Sequence, residues 1–230
     1  MTTVIIGGTS GIGLEVVKRR AARGEDVVLT GRDTTRAQQV ASSLEGSVRG
    51  LGVDLSDPHG IAVALTGIDA VDHLVIAAVE RDNNVVGHYD IDRAVRLVTL
   101  KLVGYTEVVH TLLPRMHDES SIVLFGGLAK DHPYPGSVTV ASVNGGVVGM
   151  VHALALELAP IRINAIHPGI IGDSPFWSDK PDVILEGYRS RTATGRLPSM
   201  EDITGAVDFL LSNRGATGIQ LGIDNGWLLT

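Results

Sequence analysis

An apolar run, Thr3–Ile6, leads directly into Gly7-Gly8-Thr9-Ser10-Gly11-Ile12-Gly13 and then into an amphipathic stretch, Ile12–Arg23. Glycine tolerates the dihedrals of a tight turn, lets the main chain approach a bound group, and lets a helix pack closely on a strand. A helix that begins at such a turn points its unpaired N–H groups and the positive end of its dipole beyond the strand, where a pyrophosphate fits. The spacing here is G-x3-G-x-G, not the G-x-G-x-x-G of other dinucleotide folds. A chain that starts this way is committed to β-α-β construction.

The rest of the sequence keeps that rhythm. Strands are predicted at Thr3–Ile6, Asp26–Thr30, Val48–Val53, His73–Ala77, Ser121–Phe125, Arg162–Ile166 and Ile219–Ile223. Helices are predicted at Ile12–Arg23, Thr34–Leu44, Pro58–Leu65, Ile91–Met116, Ser142–Leu158 and Glu201–Leu211. Strands alternating with helices imply a parallel sheet, and near-continuous apolar strands imply helices on both faces. No repeat and no Pro-, Gly- or Ser-rich linker divides the chain, so residues 1–230 read as one doubly wound α/β domain of the Rossmann type. Two loops, from Gly126 to about Val140 and from Pro168 to about Leu197, follow strands and should border the crevice where such sheets bind ligands.

Composition narrows the function. With no Cys there is no disulfide, zinc–thiolate site or Cys nucleophile, and the eight His show no metal-ligand spacing, so no metal is expected. The 19 Lys and Arg against 26 Asp and Glu leave a formal charge of −7, which argues against nucleic acid as partner. The apolar stretch Val147–Ala159 is interrupted by His152 and Glu157 and reads as too short and too polar to cross a bilayer. The start, MTTVIIGG, lacks the basic region of a signal peptide, which predicts a cytoplasmic protein without a membrane partner. Ser10 lacks the last Gly of a nucleophile elbow. The basic clusters at Arg19-Arg20 and Arg189–Arg191 read as solvated helix faces.

The second strand ends in Thr30-Gly31-Arg32-Asp33. An acidic residue there binds a ribose 2′-hydroxyl, whereas an Arg accommodates a 2′-phosphate. Arg32 comes first, favouring NADP(H) over NAD(H), with Asp33 as a turn residue or helix cap. At the end of the third strand, the Asp54-Leu55 carboxylate either accepts from an adenine amino group or caps the helix at Pro58.

Taken together, the glycine turn, Asp54-Leu55, Leu154-Ala155-Leu156-Glu157-Leu158-Ala159-Pro160, Ile161-Arg162-Ile163-Asn164-Ala165, Pro168-Gly169 and Thr217-Gly218…Asp224-Asn225-Gly226 resemble the short-chain dehydrogenase/reductase family over essentially the whole length. The resemblance implies a seven-stranded parallel sheet and a nicotinamide dinucleotide held by Gly7, Thr9, Ser10, Gly11, Ile12, Gly13, Arg32, Asp54, Leu55, Ala77, Pro168, Gly169 and Ile171. It also implies a homo-oligomer, dimer or tetramer, formed through the two long central helices. The segment 169–197 would be a lid over nicotinamide and a small-molecule substrate. Within it, Phe176-Trp177 would form either an apolar substrate wall or an anchor that docks the lid.

The family's catalytic positions are altered. Its Tyr aligns with Val140, its Lys with Asn144, its Ser with Gly127 and its helix-borne Asn with Lys101. The usual Asn-Asn-Ala-Gly after strand four reads Ile76-Ala77-Ala78-Val79. Val140 cannot titrate and Gly127 has no hydroxyl, so the family's proton donor is missing. Lys and Asn are exchanged between the two central helices, which suggests that Lys101 and Asn144 share the family's cavity with their positions swapped. Tyr134 and His132, in the loop after strand five, and His167, at the end of strand six, are the candidate proton donors. The reading that follows is an NADP(H)-dependent oxidoreductase of a small carbonyl or alcohol with a rearranged site. The alternatives are a non-catalytic NADP(H)-binding sensor or structural subunit, and a lyase or isomerase on the same fold.

Overall fold

The computed structural model describes residues 1–230. Seven parallel strands form one sheet in the order β3-β2-β1-β4-β5-β6-β7. They are β1 (Thr2–Ile6), β2 (Asp26–Gly31), β3 (Val48–Gly52), β4 (His73–Ile76), β5 (Ser121–Phe125), β6 (Arg162–Pro168) and β7 (Gln220–Ile223). The order reverses between β1 and β4, which opens a crevice beyond their carboxyl ends. The helices are α1 (Gly11–Ala21), α2 (Thr34–Ser42), α3 (Pro58–Ala64), α4 (Ile91–Val98), α5 (Tyr105–Leu112), α6 (Val138–Glu157), α7 (Pro175–Ser178), α8 (Asp182–Arg189) and α9 (Met200–Ser212).

Each face of the sheet has its own core. One, of 23 buried residues, joins the sheet to α3, α5 and α6; the other, of 19, joins it to α1, α2 and α9. On α6 the residues Val143, Val147 and Val151 recur at helical spacing and are buried to 2% or less. Asp33 caps α2 by accepting from the Arg36 N–H, and Ser199 and Asp202 form a reciprocal capping box on α9.

Three sequence expectations change. The predicted helix Ile91–Met116 is divided by a π-helical turn, Thr99–Gly104, and gives way to a 3₁₀ turn at Leu113–Arg115, where Pro114 cannot continue it. Helix α6 begins at Val138 instead of Ser142; it is 20 residues long and, with a mean hydropathy of 1.5 over its most apolar 18 residues, is by length and composition enough to cross a membrane. Here the helix lies on the sheet, and only 28% of its most apolar window is buried within the chain. Finally, Arg20 is not solvated. It is 3% exposed, paired with Glu25 at 2.7 Å and Asp208 at 3.2 Å, and Asp208 also holds Arg19 and Arg23, tying α1 to α9. Arg189 does face solvent, with Asp182 and Glu186 as its partners.

Candidate active site

The glycine turn lies at the reversal point. Gly7 and Gly11 adopt φ of +88° and +56°, values that disfavour any side chain. A Cβ on Gly13 would stand 2.1 Å from the Gly7 oxygen, and one on Gly7 would stand 2.7 Å from Ala78 Cα. The Gly8 N–H donates to the Thr30 oxygen at 2.8 Å, and the Ala77 N–H to the Ile6 oxygen at 2.9 Å, fastening the turn to its neighbouring strands. Ser10 occupies the N-cap of α1 without a capping side-chain hydrogen bond, and no acidic residue stands in the first turn. The leading amides of α1 are thus left for an anion, and a Cβ on Gly11 would meet only open space. Thr9, Ser10, Ile12 and the glycines are brought together as expected from the sequence, and this cradle fits the pyrophosphate of a dinucleotide.

At the ends of β2 and β3, Asp33 is occupied as the cap of α2, whereas Arg32 is 67% exposed with Glu80 Oε2 3.9 Å from its Nη1. Asp54 accepts from the N–H and hydroxyl of Ser56 at 2.9 and 2.7 Å. These bonds, with Arg96 and Arg32 nearby, outweigh partial burial and hold its carboxyl below the usual range. Asp54 is not the cap of α3, one of its two predicted roles; Asp57 takes that position. Leu55 is a core residue at 2% exposure. Glu80 and Arg96 join this corner and were not singled out in the sequence, because neither belongs to a motif.

Lys101 lies within the π-helical turn and is 2% exposed. Its ammonium is 5.3 Å from the Tyr105 ring centroid. Burial alone, with no hydrogen bond or nearby carboxylate to offset it, pushes the Lys101 amine down to about 7. Tyr105 is wholly buried; its hydroxyl donates to the Ala78 oxygen at 2.7 Å, and burial pushes the phenol up, so it stays protonated. Asn144, on the facing helix α6, is 5% exposed. A Cβ on Gly127 would stand 2.7 Å from Asn144 Nδ2. The missing hydroxyl side chain at 127 and the amide at 144 are therefore complementary: one occupies the room the other would need. Gly127→Ser is expected to lose about 1 kcal/mol of stability by displacing that amide, and Asn144→Ala is expected to relieve most of the loss. Urea unfolding of the single and double variants measures the coupling.

The remaining polar candidates sit differently. Tyr134 is 51% exposed, with its N–H donating to Ser137 Oγ at 2.9 Å. His132 is exposed on the same loop, its ring 5.7 Å from that of Trp227. His167 is 1% exposed and uses both nitrogens: the Gly127 N–H donates to Nδ1 at 3.1 Å, and Nε2 meets Gln220 Oε1 at 2.8 Å. That pairing fixes the Nε2–H tautomer, and burial lowers the imidazole, so His167 is a neutral brace for the Gly127 backbone and not a free proton donor.

The segment after β6 carries α7 and α8, where the sequence predicts a loop. Pro168 ends β6, the Gly169 N–H donates to the Ile223 oxygen at 2.9 Å, and Ile171 is buried at 5%. Phe176, Trp177, Tyr188, Trp227 and His132 form a continuous series of rings with centroids 5.1–5.7 Å apart. The Arg81 guanidinium lies 3.4 Å from the Phe176 centroid and Lys180 Nζ lies 4.6 Å from it. This series joins the loops after β4 and β5, the segment after β6 and the turn at Trp227–Leu229.

A parallel sheet with reversed strand order beside a glycine turn defines the class of Rossmann dinucleotide-binding folds. The chain belongs, within that class, to the short-chain dehydrogenase/reductase family of oxidoreductases, whose members use a nicotinamide cofactor. The family profile described as "Enoyl-(Acyl carrier protein) reductase" matches residues 7–228. The 3-oxoacyl-[acyl-carrier-protein] reductase of Bos taurus is 30% identical over 98% of this chain and 97% of its own. The short-chain dehydrogenase/reductase malC of Malbranchea aurantiaca is 26% identical over 98% and 94%. The solved MalC reductase/Diels-Alderase from that organism superposes with a TM-score of 0.90 at 26% identity, covering 99% of this chain and 95% of that one.

Proposed function

We propose that the chain is an NADP(H)-dependent reductase of a small carbonyl compound, or oxidoreductase of the matching alcohol, that works with Lys101 and Asn144 in place of the family's Tyr, Lys and Ser. The observation that carries this reading is the burial of an uncompensated Lys101 amine, which aligns with the family's helix-borne Asn, together with an Asn144 amide that lies over Gly127. Gly7, Thr9, Ser10, Gly11, Ile12 and Gly13 cradle the pyrophosphate. Arg32 takes the 2′-phosphate, Asp54, Leu55 and Ala77 border the adenosine, and Pro168, Gly169 and Ile171 border the nicotinamide. The dinucleotide supplies or accepts the hydride when bound. Lys101 holds a proton at Nζ near neutral pH and delivers it to the carbonyl oxygen; a group that titrates near the working pH suits this task. Asn144 orients the same oxygen through its amide N–H. Residues 169–197 are the lid, with Phe176 and Trp177 anchoring it through the ring series.

The relatives named as 3-oxoacyl-[acyl-carrier-protein] reductases make a 3-oxoacyl thioester the first substrate to assay. Lys101→Met is expected to lower turnover by about 10²–10⁴-fold with NADPH binding retained, whereas Tyr134→Phe and His132→Ala leave turnover within about twofold. Loss of turnover in Tyr134→Phe with Lys101→Met active would transfer the proton to Tyr134. A second reading, a non-catalytic NADP(H)-binding sensor or structural subunit, is favoured by Val140 and Gly127; it predicts NADPH binding with no turnover of any carbonyl substrate. On either reading, exposed Ile91, Val95, Val98 and Val103 on the first central helix and the uncovered face of α6 form the contacts of a dimer or tetramer.

A further inference from the structure

The corner formed by the ends of β2, β3 and β4 contains two arginines and two carboxylates in one cluster. Glu80 Oε2 accepts from Arg96 Nε at 2.9 Å and stands 3.9 Å from Arg32 Nη1, so one carboxylate oxygen faces both guanidiniums. Arg96 Nη2 lies 3.7 Å from Asp54 Oδ2 on its other side. Asp54 is fixed by Ser56 through its other oxygen, whereas Glu80 makes its contacts only with arginines. Arg32 is 67% exposed and Glu80 and Arg96 are each 37% exposed, so every member can move into solvent. Glu80 follows Val79, itself 69% exposed, in a stretch between β4 and the next helical turn at Val86–His88.

We propose that Arg96 is a second ligand for the 2′-phosphate of NADP(H), and that Glu80 is an internal anion that holds Arg96 and Arg32 until that phosphate displaces it. The proposal rests on the NADP(H) reading above and adds to it a specificity determinant from α4 and one from the β4 loop. Two guanidiniums converging on one carboxylate oxygen is the arrangement a phosphate monoester can take over, because Arg binds either group through the same fork of N–H donors. A dianionic phosphate interacts more strongly with the pair than a single carboxylate does. It also repels Glu80, which is free to swing away because no main-chain or neutral partner holds it. NADH brings no anion to this corner and leaves the Glu80 pairs intact.

The test is calorimetric titration of the wild-type protein, Glu80→Gln and Arg96→Ala with NADPH, NADH, adenosine 2′,5′-bisphosphate and AMP. Glu80→Gln is expected to tighten NADPH and the bisphosphate by about three- to tenfold, with NADH and AMP changed less than about twofold. Arg96→Ala is expected to weaken NADPH and the bisphosphate by about tenfold, again sparing NADH and AMP, whose binding also shows that the variant is folded. Weaker NADH binding in Glu80→Gln would make Glu80 a ribose hydroxyl acceptor and overturn the proposal. Equal shifts for both dinucleotides, or no shift in either variant while wild type still prefers NADPH, overturn it and leave the NADP(H) reading standing. A wild-type protein that binds NADH as tightly as NADPH overturns that reading itself, and the proposal with it.

Discussion

Lys101→Met is expected to stabilise the fold at neutral pH and to flatten its pH dependence above neutrality. The Lys101 amine is pushed down to about 7 in the folded chain, against an ordinary value of 10.5. Between those values the unfolded chain binds a proton that the folded chain lacks, so the stability of the wild-type protein rises with pH across this window. The rise from pH 7 to pH 10 is roughly 3–5 kcal/mol as an upper figure, since one pKa unit corresponds to about 1.4 kcal/mol. Methionine has similar length and no charge to desolvate, so it should recover most of that amount at pH 7. Urea unfolding at pH 7 and pH 9.5 measures this: the variant should lead clearly at the lower pH and only slightly at the higher. A wild-type stability that is flat over this range would mean that the amine finds a partner on this side of the sheet, and would remove the basis for a neutral-pH proton donor. Greater stability with lost turnover is the pattern of a group retained for chemistry at the expense of folding.

Gly13→Ala is expected to have the largest effect of any single methyl group added to the turn. Its Cβ would lie 2.1 Å from the Gly7 oxygen, a main-chain atom that cannot rotate away. The first turn of α1 would have to lift from the end of β1, at about 2–4 kcal/mol of stability and with dinucleotide affinity reduced more than about tenfold. Gly11→Ala is the comparison. Its Cβ would meet nothing, so it carries only the strain of φ +56°, about 1–2 kcal/mol. Thermal unfolding and NADPH titration of the two variants separate close packing from backbone conformation. Equal losses in both would show that the tight approach of α1 to Gly7 is not what the glycine at 13 secures.

Strands were the most legible part of the chain. The predicted Ser121–Phe125 coincides with β5, and the other six differ by a residue or two at their ends, because buried parallel strands are short apolar runs bounded by turns. The helices were legible where one face is apolar and were misjudged where tertiary packing overrides local preference. Val138-Thr139-Val140 is β-branched and reads poorly as helix, yet Thr139 is packed at 4% exposure in the first turn of α6. The π-helical turn has no local signature, since Thr99–Gly104 would serve equally well in an unbroken helix. Of the residues in the proposed site, those that the sequence offers are the ones tied to motif spacing: the glycines, Arg32, Lys101 and Asn144. Glu80 and Arg96 act through pairing across 16 positions, and the ring series runs from position 132 to 227; neither separation leaves a periodic trace.

The ring series has an optical consequence. Both tryptophans of the chain belong to it, and Tyr188 lies between them, 5.3 Å from Trp177 and 5.5 Å from Trp227. The indole emission of the native protein therefore comes entirely from the junction of these segments. Trp177 and Tyr188 belong to residues 169–197 and Trp227 lies outside them, so the two indoles flank Tyr188 together only while that segment meets the turn at Trp227–Leu229. Withdrawal of residues 169–197 would part the two indoles and shift their emission to the red, so the protein carries its own reporter of whether that segment is docked.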